Sequence, residues 1–215
     1  MKEMIFFKPT FVFFFLLTSC TQEKNWTCSE GNCDNGFGTR LWKDGGFEKG
    51  NWKNGKLQGS AYQFFGKTSK FARDTYEGEF SDDKFNGKGV YHGVQNGSTY
   101  AGYWKDGKPN GKGKVVFDER SEWANEYYDG DWLDGKRAGL GVGVFSLKKG
   151  GGTYIGEWNN DKREGKGKHI YPSGDFYEGG WLNDVKHGSG IHTDSNGRAV
   201  RLYCQNGHCE SVKER

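Results

Sequence analysis

A chain of 215 residues carrying 31 basic and 28 acidic side chains, formal charge +3, lacks the concentrated basic footprint of a nucleic-acid binder, and no nucleic-acid partner is expected. Leu, Ile, Val and Phe together number only 39, which excludes a large aliphatic core, while 16% aromatics and balanced charge exclude a chain with nothing to bury. With 36 glycines and three prolines, helices and collagen are disfavoured and a turn-rich all-β fold remains.

Residues 1–19 read as an export signal. Lys2 and Lys8 flank Ile5-Phe6-Phe7, an apolar run covers Phe11 to Leu17, and the chain turns polar at Thr21. Seven apolar residues are too few for a bilayer, which needs about 20. The end of the run, Leu17-Thr18-Ser19-Cys20, resembles the bacterial lipobox, with Glu3 a departure in the charged region. The resemblance implies a diacylglyceryl thioether on Cys20, cleavage before it, and a mature chain of Cys20 to Arg215 anchored in a membrane of the bacterial cell envelope, with 20–27 as a lipidated tether. Two or more acyl chains hold a protein stably where one does not. A plain cleaved signal with a chance cysteine is the alternative.

The four remaining cysteines form two pairs of equal spacing, Cys28 with Cys33 and Cys204 with Cys209. An even number in an exported chain favours disulfides within each pair, each closing a short Gly-containing turn. The alternatives are a zinc site on Cys204, His208 and Cys209, and cross-pairing between the ends.

Between the pairs the sequence repeats. With the glycine of Tyr-x-Gly-x-Trp as origin, copies stand at Gly50, Gly78, Gly102, Gly130, Gly156 and Gly179. Tyr76, Tyr100, Tyr128, Tyr154 and Tyr177 precede by two, and Trp52, Phe80, Trp104, Trp132, Trp158 and Trp181 follow by two. A glycine always falls nine later, at Gly59, Gly87, Gly111, Gly139, Gly165 and Gly188, and five copies extend it to Gly-x-Gly. Insertions lie only between one Gly-x-Gly and the next Tyr, which marks that stretch as loop.

Four and five residues after each origin stand pairs such as Asn54-Gly55, Asp82-Asp83 and Asp106-Gly107, the signal of a type I′ hairpin. A two-residue turn then places the origin glycine opposite the glycine nine later, and Tyr opposite the second glycine of Gly-x-Gly. Tyr, Gly and Trp share one face, so rings lie over bare backbone.

The segment Tyr154-Ile-Gly-Glu-Trp158 through Gly165-Lys-Gly167, with its siblings, resembles the membrane occupation and recognition nexus (MORN) repeat. The copy at Gly50 departs, with Phe47 one position from the Tyr slot and Ser60-Ala61 in place of x-Gly; degenerate half-copies stand at Gly36-Phe-Gly38 and Arg201-Leu-Tyr203. The resemblance implies an elongated, twisted, single antiparallel sheet of successive hairpins, about fourteen strands long. The array spans 48–196, with an N-terminal cap and half-repeat over 28–47 and a C-terminal half-repeat and cap over 197–215, the cysteine pairs sitting where atypical end units belong.

No catalytic constellation stands out and no enzyme or cofactor is expected. His92, His169, His187 and His192 read as solvent-face histidines; His187-Gly-Ser189-Gly lacks the strand-to-helix elbow of a serine hydrolase. Recurring acids Glu79, Asp131 and Glu157 offer glycosidase-like pairs, but periodic acids are more often solubilising. Lysine recurs six after the origin at Lys56, Lys84, Lys108, Lys136 and Lys162, joined by Lys88, Lys112, Lys166 and Lys168, as a basic row for anionic head groups, unless Asp82, Asp106, Asp134 and Asp161 neutralise it. The preferred expectation is a non-catalytic scaffold with a protein partner or self-association, the alternatives being anionic lipid or envelope glycan.

Overall fold

The computed structural model describes residues 25–212. The expected signal over 1–19 and the lipid attachment at Cys20 lie outside the described residues. Sixteen strands follow in chain order: β1 (Trp26–Gly31), β2 (Gly36–Trp42), β3 (Phe47–Lys53), β4 (Lys56–Phe64), β5 (Thr75–Ser81), β6 (Lys84–Gly93), β7 (Ser98–Lys105), β8 (Lys108–Phe117), β9 (Tyr127–Leu133), β10 (Lys136–Phe145), β11 (Gly152–Asn159), β12 (Lys162–Ile170), β13 (Phe176–Leu182), β14 (Val185–Thr193), β15 (Ala199–Gln205) and β16 (His208–Ser211). They form one antiparallel sheet in that same order, each strand paired with its chain neighbours. At ~4.8 Å per strand the sheet runs about 70 Å.

The turns are type I′, as the Asn/Asp-Gly chemistry dictates. Both central residues take positive φ in every two-residue turn from β3–β4 onward, from Asn54 (50°) and Gly55 (70°) to Asn183 (50°) and Asp184 (71°), and again at Asn206 and Gly207. This twist matches that of the flanking strands.

The register holds only next to the turn. Phe80 pairs with Phe85, but Gly78 pairs with Gly89 and Tyr76 with Tyr91, because β6 carries two extra residues between. The same jump occurs in each repeat hairpin, including β9–β10 and β11–β12. The expected pairing of the origin glycine with the glycine nine later is therefore corrected: its partner is the second glycine of Gly-x-Gly. The glycine nine later is the bulge itself, with φ of +64° at Gly87, +54° at Gly139 and +60° at Gly165, a conformation that only glycine adopts without strain.

This correction creates a row that the simple register hid. Gly38, Gly50, Ala61, Gly78, Gly89, Gly102, Gly113, Gly130, Gly141, Gly156, Gly167, Gly179, Gly190 and Leu202 are paired strand to strand across the whole sheet. Facing glycines leave a furrow one side chain deep, and the tyrosine rings lie in it. A Cβ at Gly89, Gly113, Gly141, Gly167 or Gly190 would overlap the phenol of its own repeat's tyrosine.

Both disulfides are formed within their pairs, Cys28 with Cys33 and Cys204 with Cys209, near the two ends of the sheet. Bonded to each other, Cys204 and Cys209 are not zinc ligands. Cys204 is opposite Gly188, as Trp181 is opposite Gly165, so the last hairpin places the fully buried Cys204 of a cystine where the others place tryptophan, with Cys209 half-buried.

Candidate interaction surfaces

The face that carries the repeat aromatics is closed on itself. Tyr76, Tyr100, Tyr128, Tyr154 and Tyr177 are buried with Phe80, Trp104, Trp132, Trp158 and Trp181. Tyr100, Tyr128 and Tyr154 each meet the tryptophan of their own hairpin and that of the next edge to face: Tyr100 to Trp104 at 4.9 Å and to Trp132 at 5.2 Å, Tyr154 to Trp158 at 5.2 Å and to Trp181 at 5.3 Å. Such pairs add about 0.5–1.5 kcal/mol each beyond area burial.

The polar ends of the rings are satisfied by backbone. Trp104, Trp132, Trp158 and Trp181 donate Nε1–H to the carbonyls of Gly89, Gly113, Gly141 and Gly167 at 2.8–3.2 Å. The tyrosine hydroxyls donate to the carbonyl one past the origin, as in Tyr128 to Asp131 at 2.8 Å and Tyr154 to Glu157 at 3.0 Å. Burial pushes these phenols above the usual tyrosine range. Rings held so are unavailable to a ligand.

Arg137 and Arg163 complete this face. Their guanidinium groups lie over Trp158 and Trp181 at 4.4 and 4.3 Å and pair with Asp161 and Asp184 of the next turn, Nε to Oδ1 at 3.2 Å in both. His169 belongs here too. It is buried beside Tyr171 and Trp181, which corrects its expected place on the solvent face: it stands two residues after Gly167, and strand alternation carries it to the rings. Burial, with Arg163 and Lys186 nearby, lowers its pKa to about 4. His192, at the equivalent position, likewise approaches Tyr171.

The recurring acids have a structural task. Glu79 accepts the amide of Lys88 at 2.9 Å, Asp131 that of Leu140 at 3.0 Å, and Glu157 that of Lys166 at 2.9 Å. Each carboxylate thus pins a bulge amide that the ladder leaves unpaired.

The expected basic row divides in two. Lys112, Lys114 and Lys168 lie mid-strand on the outer face and pair across strands with Asp131, Asp129 and Glu178. Lysines six after the origin line the turn edge, and Lys56, Lys84, Lys136 and Lys162 reach the first turn residue of the next hairpin. Lys56 and Lys84 meet carboxylates there, Asp82 at 3.7 Å and Asp106 at 3.2 Å. Lys136 and Lys162 meet amide oxygens instead, Asn160 at 3.3 Å and Asn183 at 3.2 Å. Their charge is not cancelled by that contact. Lys108 is half-buried at the same edge.

The outer face also presents aliphatics. Leu140 is 62% and Ile155 46% exposed, with Val116 at 38%. Ile155 is directly opposite Val142, and Tyr127 joins Val144 to Val116, so the apolar group is continuous over β8–β11.

The MORN repeat family model matches 35–47, 49–61, 76–98, 100–119, 128–146, 154–176 and 177–197, together more than half of the chain. A comparison with curated proteins returns no match. The repeats, their hairpins and their all-β sheet place the chain in the MORN repeat family.

Proposed function

We propose that the protein is a non-catalytic scaffold whose outer sheet face over β8–β11 docks a protein partner, and that a lipid on Cys20 tethers it in the bacterial cell envelope. The observation that carries this reading is the division between faces: the aromatic rings are committed to their own backbone, while Leu140, Ile155 and Val116 stand exposed as one apolar group rimmed by paired charges. Apolar area ringed by polar residues is what partner surfaces present. MORN repeats commonly serve as protein or lipid interaction modules.

The test is chemical cross-linking in intact cells of the wild type and of Ile155→Glu with Leu140→Lys. The reading expects one recurring adduct, lost in the double variant while the thermal midpoint is unchanged. An adduct that persists in the variant contradicts it. A companion Cys20→Ser variant should leave the membrane fraction, and retention there would refute the tether.

A second reading has its own support: Lys136 and Lys162 face Asn where Lys56 and Lys84 face Asp, so the turn edge of the later hairpins keeps positive charge for an anionic bilayer. Binding to phosphatidylglycerol vesicles that falls steeply with salt, and is absent with phosphatidylcholine, would favour it.

A further inference from the structure

The ring ladder breaks in the copy at Gly50. The slot two before the origin, tyrosine in the other five copies, holds Glu48, and the partner of Gly50 is Ala61 rather than glycine. The two departures go together, since a tyrosine there would overlap the Ala61 methyl as other tyrosines would overlap a Cβ on their glycines. Beside Glu48, on the side of the loops after β2 and β4, a cleft of about 510 Å³ opens, inside the ~300–1,000 Å³ range of ligand pockets. Glu48, Gln63 and Trp42 line its interior, with Lys43, Asp44 and Thr68 towards solvent.

Glu48 is buried to 9% exposure and only half satisfied. Its Oε1 accepts from Gln63 Nε2 at 3.0 Å. Its Oε2 lies 3.8 Å from Arg40 Nη1 and has no hydrogen-bond partner; Arg40 Nε has none either. Arg40 is itself held between Trp26 and Trp52, 4.0 and 3.9 Å from the ring centres, and donates Nη2 to the Gly55 carbonyl at 2.8 Å, so it does not swing to close the gap. Burial pushes the Glu48 carboxyl up to about 7 against the pull of Arg40. A satisfied ring has been exchanged for a half-paired acid facing a cleft, a local loss of the kind that marks functional sites.

The charges around the cleft select the ligand. A cation would meet Arg40 behind the carboxylate, and an anion would meet Glu48 and Asp44. A neutral molecule with hydroxyl donors for Oε2, acceptors for the Gln63 amide and an apolar face for the Trp42 indole meets neither penalty. We propose that this cleft binds one or two sugar units of a neutral glycan, with Glu48 and Gln63 hydrogen-bonding the hydroxyls and Trp42 carrying the apolar ring face. The site is separate from the outer face over β8–β11, so either can fail without the other.

The test titrates the full-length protein with maltose, cellobiose and N,N′-diacetylchitobiose, followed by tryptophan fluorescence and calorimetry. At least one disaccharide should bind saturably, with an affinity that is the same at low and high salt because no ion pair forms. Glu48→Gln should weaken it about tenfold or more, the loss expected of an ionic hydrogen bond. Glu48→Tyr with Ala61→Gly rebuilds the standard repeat: it should raise the thermal midpoint and abolish binding, so loss of binding is read in a protein that is better folded. Failure of all three disaccharides to bind overturns the proposal, as does binding that survives the rebuilt repeat. Saturable binding of tetramethylammonium in place of the sugars overturns it as well.

Discussion

A strand glycine ordinarily weakens a sheet by about 0.5–1 kcal/mol relative to alanine. In this protein the cost is offset twice, by the furrow that admits the tyrosine rings and by carbonyls left open to the indole N–H groups. The face shared by Tyr, Gly and Trp was legible from alternation alone. The same alternation places His169, two residues on from Gly167, on that face, although its polar ring is a residue type expected in solvent. Its burial has a consequence for pH. The folded pKa of about 4 lies below the ordinary histidine value of 6.5, so the neutral ring contributes stability above pH 6.5 that is lost as pH falls from 6.5 to 4. Glu48 has the opposite sign: its carboxyl is raised from 4.5 to about 7, so its contribution is present below pH 4.5 and lost as pH rises to 7. Thermal midpoints across pH 4–7 should therefore fall more on the acid side in wild type than in His169→Phe, which sits among Phe145, Tyr171 and Trp181. Parallel curves would show that the histidine titrates as in the unfolded chain.

At the scale of the hairpin, the turn was the legible part, because few residue pairs tolerate positive φ twice in succession. The bulge is less legible, although the sequence carries its signal: a glycine nine after every origin, even in the copy at Gly50 that lacks the second one. Glycine without a ring to cover is glycine needed for its φ. The bulge also explains the acids one past the origin, since the extra residues free an amide that Glu79, Asp131 and Glu157 recover. The terminal hairpin β15–β16 shows how the array stops. Its cystine lies at the tryptophan position, and a four-residue β16 ends the sheet with a short edge. A loop this small limits the entropic gain of the disulfide to about 2 kcal/mol. Reduction should therefore release β16 in amide exchange while β5–β12 stay protected and the main thermal transition persists. Loss of the whole transition on reduction would mean that the ends hold the array together.

Over the whole molecule, each hairpin contacts only its neighbours, as in other repeat arrays, so stability accumulates along the sheet rather than around one centre. That arrangement leaves the aliphatic group of the outer face and the lysines of the turn edge outside the ring ladder, and the departures from the repeat stand there and at Glu48. Repetition made the architecture legible, while the sites depend on departures from it: Asn for Asp opposite Lys136 and Lys162, and Glu for Tyr at position 48. A departure is recognised only after the register shows which slot it occupies. Everything assigned to surfaces rests on the rings being packing devices, and a double-mutant cycle on Tyr100 and Gly113 tests that directly. Gly113→Ala alone should destabilise by about 1–3 kcal/mol, because its methyl overlaps the Tyr100 phenol. In a Tyr100→Ala background the same change should be neutral or stabilising, by up to about 1 kcal/mol. Equal costs in both backgrounds would contradict the account, showing that the ring does not occupy the furrow and is available to a ligand.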